Sequence, residues 1–209
     1  MINLTNVLAL LAAYILGSIP SAVWIGRIFF GIDVREYGSG NAGATNTFRV
    51  LGKKAGIPVA LIDILKGYLA VQLATLIGIY LPGTQQFVNF KLTLGVAALM
   101  GHIFPVFAGF RGGKGIATLL GIVIGVHPPA ALICAGIFFA TLIITNYVSL
   151  SSIFSAMAFP IIIMFGFHET VRSLNVFSIF VTILVLITHQ KNIERLLRGE
   201  EGKVGFLRR

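Results

Sequence analysis

The sequence predicts an all-α integral membrane protein, a bundle of seven transmembrane helices with glycine-rich loops on the cytoplasmic side. Three observations lead there. Hydrophobic residues make up 56% of the 209 and charged residues only 11%, against roughly 25% charged in a soluble domain. The apolar residues gather into seven runs, and a hydrocarbon core asks about 20 such residues of each spanning helix. Most of the chain is consumed in this way, so one polytopic domain over residues 1–209 is expected, with short connections. Lysine and arginine, finally, are spread very unevenly over those connections.

The first run, residues 4–30, has no Lys or Arg before it and Arg27 near its end. A secretory signal has the opposite layout, with positive charge first, so a permanent first helix entering from outside is expected. After a polar, glycine-rich stretch at 31–55, apolar runs fall at 57–80, 92–109, 115–126, 129–146, 150–166 and 174–189. The run at 115–126 is short and glycine-bearing, and reads either as a crossing or as a half-span or re-entrant piece. If all seven cross, the loops at 31–55, 110–114 and 146–150 and the C-terminal tail share one face. That face holds Arg35, Arg49, Lys53, Lys54, Arg111, Lys114, Lys191, Arg195, Arg198, Lys203, Arg208 and Arg209, while the other holds only Lys91 and Arg172. Positive charge marks the cytoplasmic side, which puts the N-terminus outside and the C-terminus inside. A transmembrane barrel would alternate polar and apolar residues, and FFATLII at 138–144 does not.

Composition narrows the function as well. A single cysteine, Cys134, excludes an intrachain disulfide scaffold. The net charge of +9, from 16 Lys/Arg against 7 Asp/Glu, fits anionic lipid and the positive-inside rule better than nucleic acid, and no nucleic acid partner is expected. His102, His127, His168 and His189 are scattered and the only aspartates are Asp33 and Asp63, so neither a metal nor another cofactor is expected.

Polar chemistry concentrates in three segments. In YGSGNAGATNTFRVLGKK, residues 37–54, Gly38, Gly40 and Gly43 let the backbone approach a ligand closely. Ser39, Asn41, Thr45 and Asn46 add neutral donors and Arg49 a fixed charge, a combination suited to phosphate oxygens. The segment is neither a Walker A loop nor GxGxxG, and a flexible turn between helices is the ordinary alternative. In FRGGKGIAT, residues 110–118, Gly112 and Gly113 precede Lys114 at the start of an apolar run; a basic hairpin that merely signals topology is the alternative there. In THQKNIERLLRGEE, residues 188–201, His189 and Asn192 share a helical face, although an interfacial helix with Ile193, Leu196 and Leu197 against lipid reads equally well. Asp63 and Lys66 are charges inside an apolar run, spaced for a mutual ion pair or for holding Arg49 or Lys114. His102 reads as a helix–helix contact.

Taken together and in this order, GSGNAGATN at 38–46, GGKGIAT at 112–118 and HQKNIERLLRGEE at 189–201 resemble the three motifs of the bacterial membrane-integral acyl-phosphate:glycerol-3-phosphate acyltransferases, and DILKG and GHIFPVF strengthen the likeness. The resemblance implies transfer of a fatty acyl group from acyl phosphate to the 1-hydroxyl of glycerol-3-phosphate, giving lysophosphatidic acid at the bacterial cytoplasmic membrane. Carried over by position, it implies Ser39, Lys114, His189 and Asn192 as catalytic residues. It implies Gly38, Gly40, Asn41, Gly43, Thr45, Asn46, Arg49, Gly112 and Gly113 as substrate-binding ones. Partners implied are the two substrates, membrane lipid and the soluble enzyme that supplies acyl phosphate, with the chain acting as a monomer. The HxxxxD pattern of acyl-CoA-type acyltransferases is absent, since Phe107 follows His102 and Glu194 follows His189 at that spacing. Chemistry agrees: an acyl phosphate is already activated, and the difficulty is to bring two anionic headgroups together, which calls for cations and N–H donors. The attacking hydroxyl's proton goes either to His189 or to the substrate's own phosphate, and the resemblance favours the latter. A transporter or flippase for a phosphorylated metabolite is the alternative from another class, disfavoured by short outer loops poor in polar groups. The topology carries an expectation: single cysteines at positions 41 and 113 label from the same side of the membrane, and labelling from opposite sides overturns it.

Overall fold

The computed structural model describes residues 3–204. These form ten α-helices and, among the described residues, no strand. The chain divides between Val126 and His127 into two compact units.

The first unit opens with α1 (Leu4–Gly17) and α2 (Ser21–Phe30), bent by 42°. The expected single helix is therefore broken. Pro20 has no N–H to continue the ladder, and it stands at the N-cap of α2 directly after Ser18 has closed α1 onto the Tyr14 carbonyl. A loop with a short turn at Val34–Glu36 leads to α3 (Ala44–Leu51), α4 (Lys53–Ile77), α5 (Gln85–Ile103) and α6 (Ile116–Val126). The second unit holds α7 (Pro128–Thr145), α8 (Val148–Ile161) continuing through a wider turn at Ile162–Gly166, α9 (Arg172–Thr188) and α10 (Gln190–Leu197), the last two bent by 61°.

Every expected apolar run is helical, but they are not equally long. Four helices are long and apolar enough to cross a membrane, or six if each bent pair counts as one span. The seventh run is α6, whose 11 residues reach about 16 Å at 1.5 Å per residue, roughly half of a 30 Å core. A count of seven crossings thus requires each bent pair to make one span and α6 to cross as well. Outward faces are apolar, with Leu61, Leu76, Leu132 and Ile144 all more than half exposed.

Helix contacts in the first unit are made through small residues, as expected where lipid removes any hydrophobic drive for helices to associate. Gly67 of α4 lies against the Thr118 carbonyl of α6, and Gly121 of α6 against the Ile64 carbonyl of α4. Gly17 and Gly101 bring α1 and α5 together in the same way, beside a core of Ala9, Ala13, Ala70, Ala98, Phe90 and Leu94. Lys91 of α5 donates to the Gly125 carbonyl at 2.8 Å and lies 5.0 Å from the Phe87 ring centre, closing the C-terminal end of α6 with a cation. In the second unit hydroxyls bridge the helices, Ser155 to the Cys134 carbonyl (2.8 Å) and Thr182 to the Ala156 carbonyl (2.7 Å).

A Cβ at Gly67 would collide with backbone, which cannot rotate away. Gly67→Ala therefore lowers the thermal stability of the detergent-solubilised protein, because overpacking of about 1–3 kcal/mol outweighs the roughly 1 kcal/mol that alanine gains in helix propensity. Gly136→Ala, with open space around it, is neutral or stabilising. Equal melting temperatures for the two variants would contradict the α4–α6 contact.

Candidate active site

The glycine-rich loop ahead of α3 is built around Asn46. Its Oδ1 accepts from the Ser39 N–H (2.8 Å) and the Ser39 hydroxyl (3.1 Å), and its Nδ2 donates to the carbonyls of Val34 (2.8 Å) and Tyr37 (3.1 Å). Four bonds from one buried amide pin the loop to the first turn of α3. Gly38 and Gly40 are left-handed (φ 61° and 72°), and a Cβ at Gly38 would strike Asn46 Oδ1, so the sequence places glycine where the turn requires it. Asn41, Gly43 and Thr45 are partly exposed, while Ser39 and Arg49 lie at the surface.

Asp33 ties this loop to the second one. Its carboxylate accepts from the Arg35 N–H and pairs with the guanidinium groups of Arg35 (2.7 Å) and Arg27 (2.9 Å). The Arg35 contact above all holds its carboxyl far below the usual range, against the upward pull of burial, and the same pair raises Arg35. Arg35 Nη1 then donates to the carbonyls of Ala108 (2.7 Å) and Arg111 (3.3 Å), in the connection between α5 and α6. That connection folds back on the end of α5: the Gly112 N–H donates to the Ile103 carbonyl (3.1 Å) and the Gly113 N–H to the His102 carbonyl (3.3 Å). The amides of both glycines, which the resemblance implies as substrate-binding, are thus engaged with the end of α5. Lys114 follows, partly exposed, two residues before α6.

Below the loops, Asp63 and Lys66 form the ion pair their spacing allows, at 2.8 Å. Lys66 also donates to the Ile19 carbonyl (2.8 Å), and the Ser21 hydroxyl donates to Asp63 (2.8 Å). His102 Nδ1 lies 3.6 Å from the same carboxylate. His102 thus brings a third ionisable side chain to this carboxylate, from α5. Sequence reading missed it because the two residues lie on different helices.

In the second unit His189 sits buried at the break between α9 and α10. Its Nδ1 lies 2.9 Å from the Val185 carbonyl, the distance of a hydrogen bond in which the ring N–H donates. Asn192 Nδ2 donates to Glu201 Oε1 (2.6 Å). Glu201, not singled out from sequence, also accepts from the Ser149 hydroxyl (2.7 Å) and from Arg195 Nε (2.7 Å). It folds the tail beneath α8, and the tail continues with the Val204 N–H on the Asn146 carbonyl (2.9 Å). Nothing in the sequence sets Glu201 apart from Glu194 and Glu200, because its Ser149 donor lies 52 residues away. Arg208 and Arg209 lie outside the described residues.

The helical scaffold that carries these groups is shared with known proteins. The sequence profile of the glycerol-3-phosphate acyltransferases matches residues 7–199. A glycerol-3-phosphate acyltransferase of Staphylococcus carnosus is 48% identical over 202 residues, covering 96% of this chain and 98% of its own. One of Enterococcus faecalis is 46% identical over 207 residues, covering 96% and 92%. Crystal structures of PlsY, an integral membrane glycerol 3-phosphate acyltransferase, align over 97% of both chains at 35% identity, with TM-scores of 0.84 for its glycerol 3-phosphate form and 0.81 for its lysophosphatidic acid form. The chain belongs to the glycerol-3-phosphate acyltransferase family, integral membrane acyltransferases of phospholipid biosynthesis.

The electrostatics of the tail make a pH prediction. Burial pushes the Glu201 carboxyl up, but the Arg195, Asn192 and Ser149 donors outweigh it and hold the group below its ordinary value. A depressed carboxyl stabilises fully above its unfolded pKa of about 4.3 and loses that contribution as pH falls through the folded value. Acidifying the protein from pH 7 through this range lowers the melting temperature of wild type more than that of Glu201→Gln. Parallel pH profiles would remove Glu201 as the anchor of the tail.

Proposed function

We propose that this acyltransferase takes its acyl group from acyl phosphate and transfers it directly to the 1-hydroxyl of glycerol-3-phosphate in a ternary complex, releasing lysophosphatidic acid and phosphate. The observation that carries the reading is the coupling of two glycine loops in the first unit, one leading into α3, whose last turn bears Arg49, and the other bearing Lys114, through the Asp33–Arg35 clamp. Two loops held in register, with a cation on the helix after one and on the other itself, suit two phosphate groups that repel one another. The solved relative, in forms with glycerol 3-phosphate and lysophosphatidic acid, supports acceptor and product.

In this reading Arg49 and Lys114 neutralise the phosphates. The loop from Gly38 to Asn46 cradles the acyl-phosphate group, with Asn41, Gly43 and Thr45 on its open side and Asn46 keeping its shape. Gly112 and Gly113 set the position of Lys114. The hydroxyl oxygen of glycerol-3-phosphate attacks the carbonyl carbon, a C–O ester bond forms, the C–O bond to phosphate breaks, and the hydroxyl proton ends on phosphate, directly or by way of His189 Nε2. Asn192, oriented by Glu201, and His189 hold the substrates. Ser39 keeps its lone pairs for substrate donors while its own hydrogen goes to Asn46. The enzyme acts as a monomer in the cytoplasmic membrane, supplied with acyl phosphate by a soluble enzyme. The N-terminus lies outside, α6 counts as the seventh crossing, and the motif loops face the cytoplasm, a topology supported by the distribution of Lys and Arg.

The test is acyl transfer by purified protein from palmitoyl phosphate or palmitoyl-CoA to labelled glycerol-3-phosphate. The phosphate donor supports turnover and the thioester does not; comparable rates would overturn the choice of donor. Lys114→Ala, while folded, loses activity by about 10- to 150-fold or more, as expected for a charge-assisted contact of about 1.5–3 kcal/mol that tightens in the transition state. A stoichiometric acylated Ser39 detected by mass spectrometry would replace direct transfer with a two-step route.

A further inference from the structure

The buried charges beneath the loops are not used by the mechanism above. Asp63, Lys66 and His102 are 1%, 4% and 6% exposed, within helices surrounded by lipid, where ionisable groups are costly unless they serve a purpose. The Asp63–Lys66 pair is already complete without a third partner, since Lys66 also has the Ile19 carbonyl and Asp63 the Ser21 hydroxyl. A hydrocarbon ring at position 102 would fill the same space and leave no polar edge to satisfy. An imidazole stands there, and its Nδ1 has no hydrogen bond among the described residues, the Asp63 oxygen lying at 3.6 Å.

What the imidazole touches on its other edge is the second glycine loop. A Cβ at Gly113 would fall against His102 Nε2, and one at Gly112 against the His102 carbonyl. The Gly113 N–H bonds that same carbonyl, and the ring of His102 lines a narrow recess together with Gly113, Ala42 of the first loop, Ser21 and Lys66. Ring and main chain of one residue therefore form the floor on which the segment before Lys114 lies. We infer that His102, oriented by Asp63, is a positioning residue for acyl transfer: it sets where Gly112 and Gly113 run and thereby where the Lys114 ammonium stands.

The inference rests on Lys114 being a phosphate-binding group, and the experiment separates the two. Kinetic constants for glycerol-3-phosphate and melting temperatures are measured on the full-length detergent-purified protein for His102→Phe, His102→Asn, His102→Ala, Asp63→Asn, Gly113→Ala, the Gly113→Ala/His102→Ala double variant and Lys114→Ala. His102→Phe keeps a ring but loses the polar edge, and lowers kcat/KM by about tenfold to a hundredfold, the scale of a small misplacement, at an unchanged melting temperature. His102→Asn, which keeps a donor near Nδ1, restores most of the loss, and Asp63→Asn behaves like His102→Phe. Gly113→Ala pushes against the ring, and adding His102→Ala costs far less than the two single effects combined, because both act along one path. Wild-type kcat/KM for His102→Phe beside an inactive Lys114→Ala overturns the positioning role alone, whereas an active Lys114→Ala overturns the reading beneath it. Losses that only follow falling melting temperatures, without rescue by asparagine, reduce His102 to a packing residue and also overturn the proposal. Should His102→Phe fail to fold, the coupling between Gly113 and His102 answers the same question.

Discussion

A polar group that enters the apolar part of this chain is costly unless it finds a partner inside the protein, because the surrounding hydrocarbon offers none. That constraint explains why the charges sit where they do. Lys91 crowns the end of α6, Lys66 closes on Asp63 and on the carbonyl released at the α1–α2 break, and bridging hydroxyls join the helices of the second unit. The same rule shapes the loops. Asn46 spends its whole amide on four loop atoms, and Arg35 spends its fork on Asp33 and two carbonyls. Beside these fastened loops Arg49 lies at the surface and Lys114 is partly exposed.

Glycine serves two different ends in this architecture. In the helices it removes volume so that one backbone can lie on another, as at Gly67 and Gly101. In the loops it admits left-handed backbone, as at Gly38 and Gly40. A stretch rich in glycine thus reads as flexible by composition and is rigid in place, since each of these turns is fastened by a buried side chain. Rigidity of this kind lets charge meet charge without reorganisation during the reaction.

The helices were legible because apolar runs of spanning length have few other outcomes, and the i,i+3 spacing of Asp63 and Lys66 was enough to foresee their pair. The break after Gly17 was not read, although Pro20 was in plain view, because composition across residues 4–30 stays uniformly apolar. Helix α6 was recognised as short, yet its crossing depends on its surroundings rather than on its own residues. Among the site residues, Asn46 was foreseen as a donor to substrate and is instead engaged with its own loop; nothing in a linear motif distinguishes the two. His102 and Glu201 draw their meaning from Asp63, 39 residues away, and Ser149, 52 residues away, and one chain read without its fold holds no signal for such distances.

The four bonds made by the buried Asn46 amide have one more effect. Because they fix the shape of the loop during folding, the entropy of ordering those residues is lost once, with the rest of the chain, and any ligand that settles on the open side of the turn meets a surface already formed.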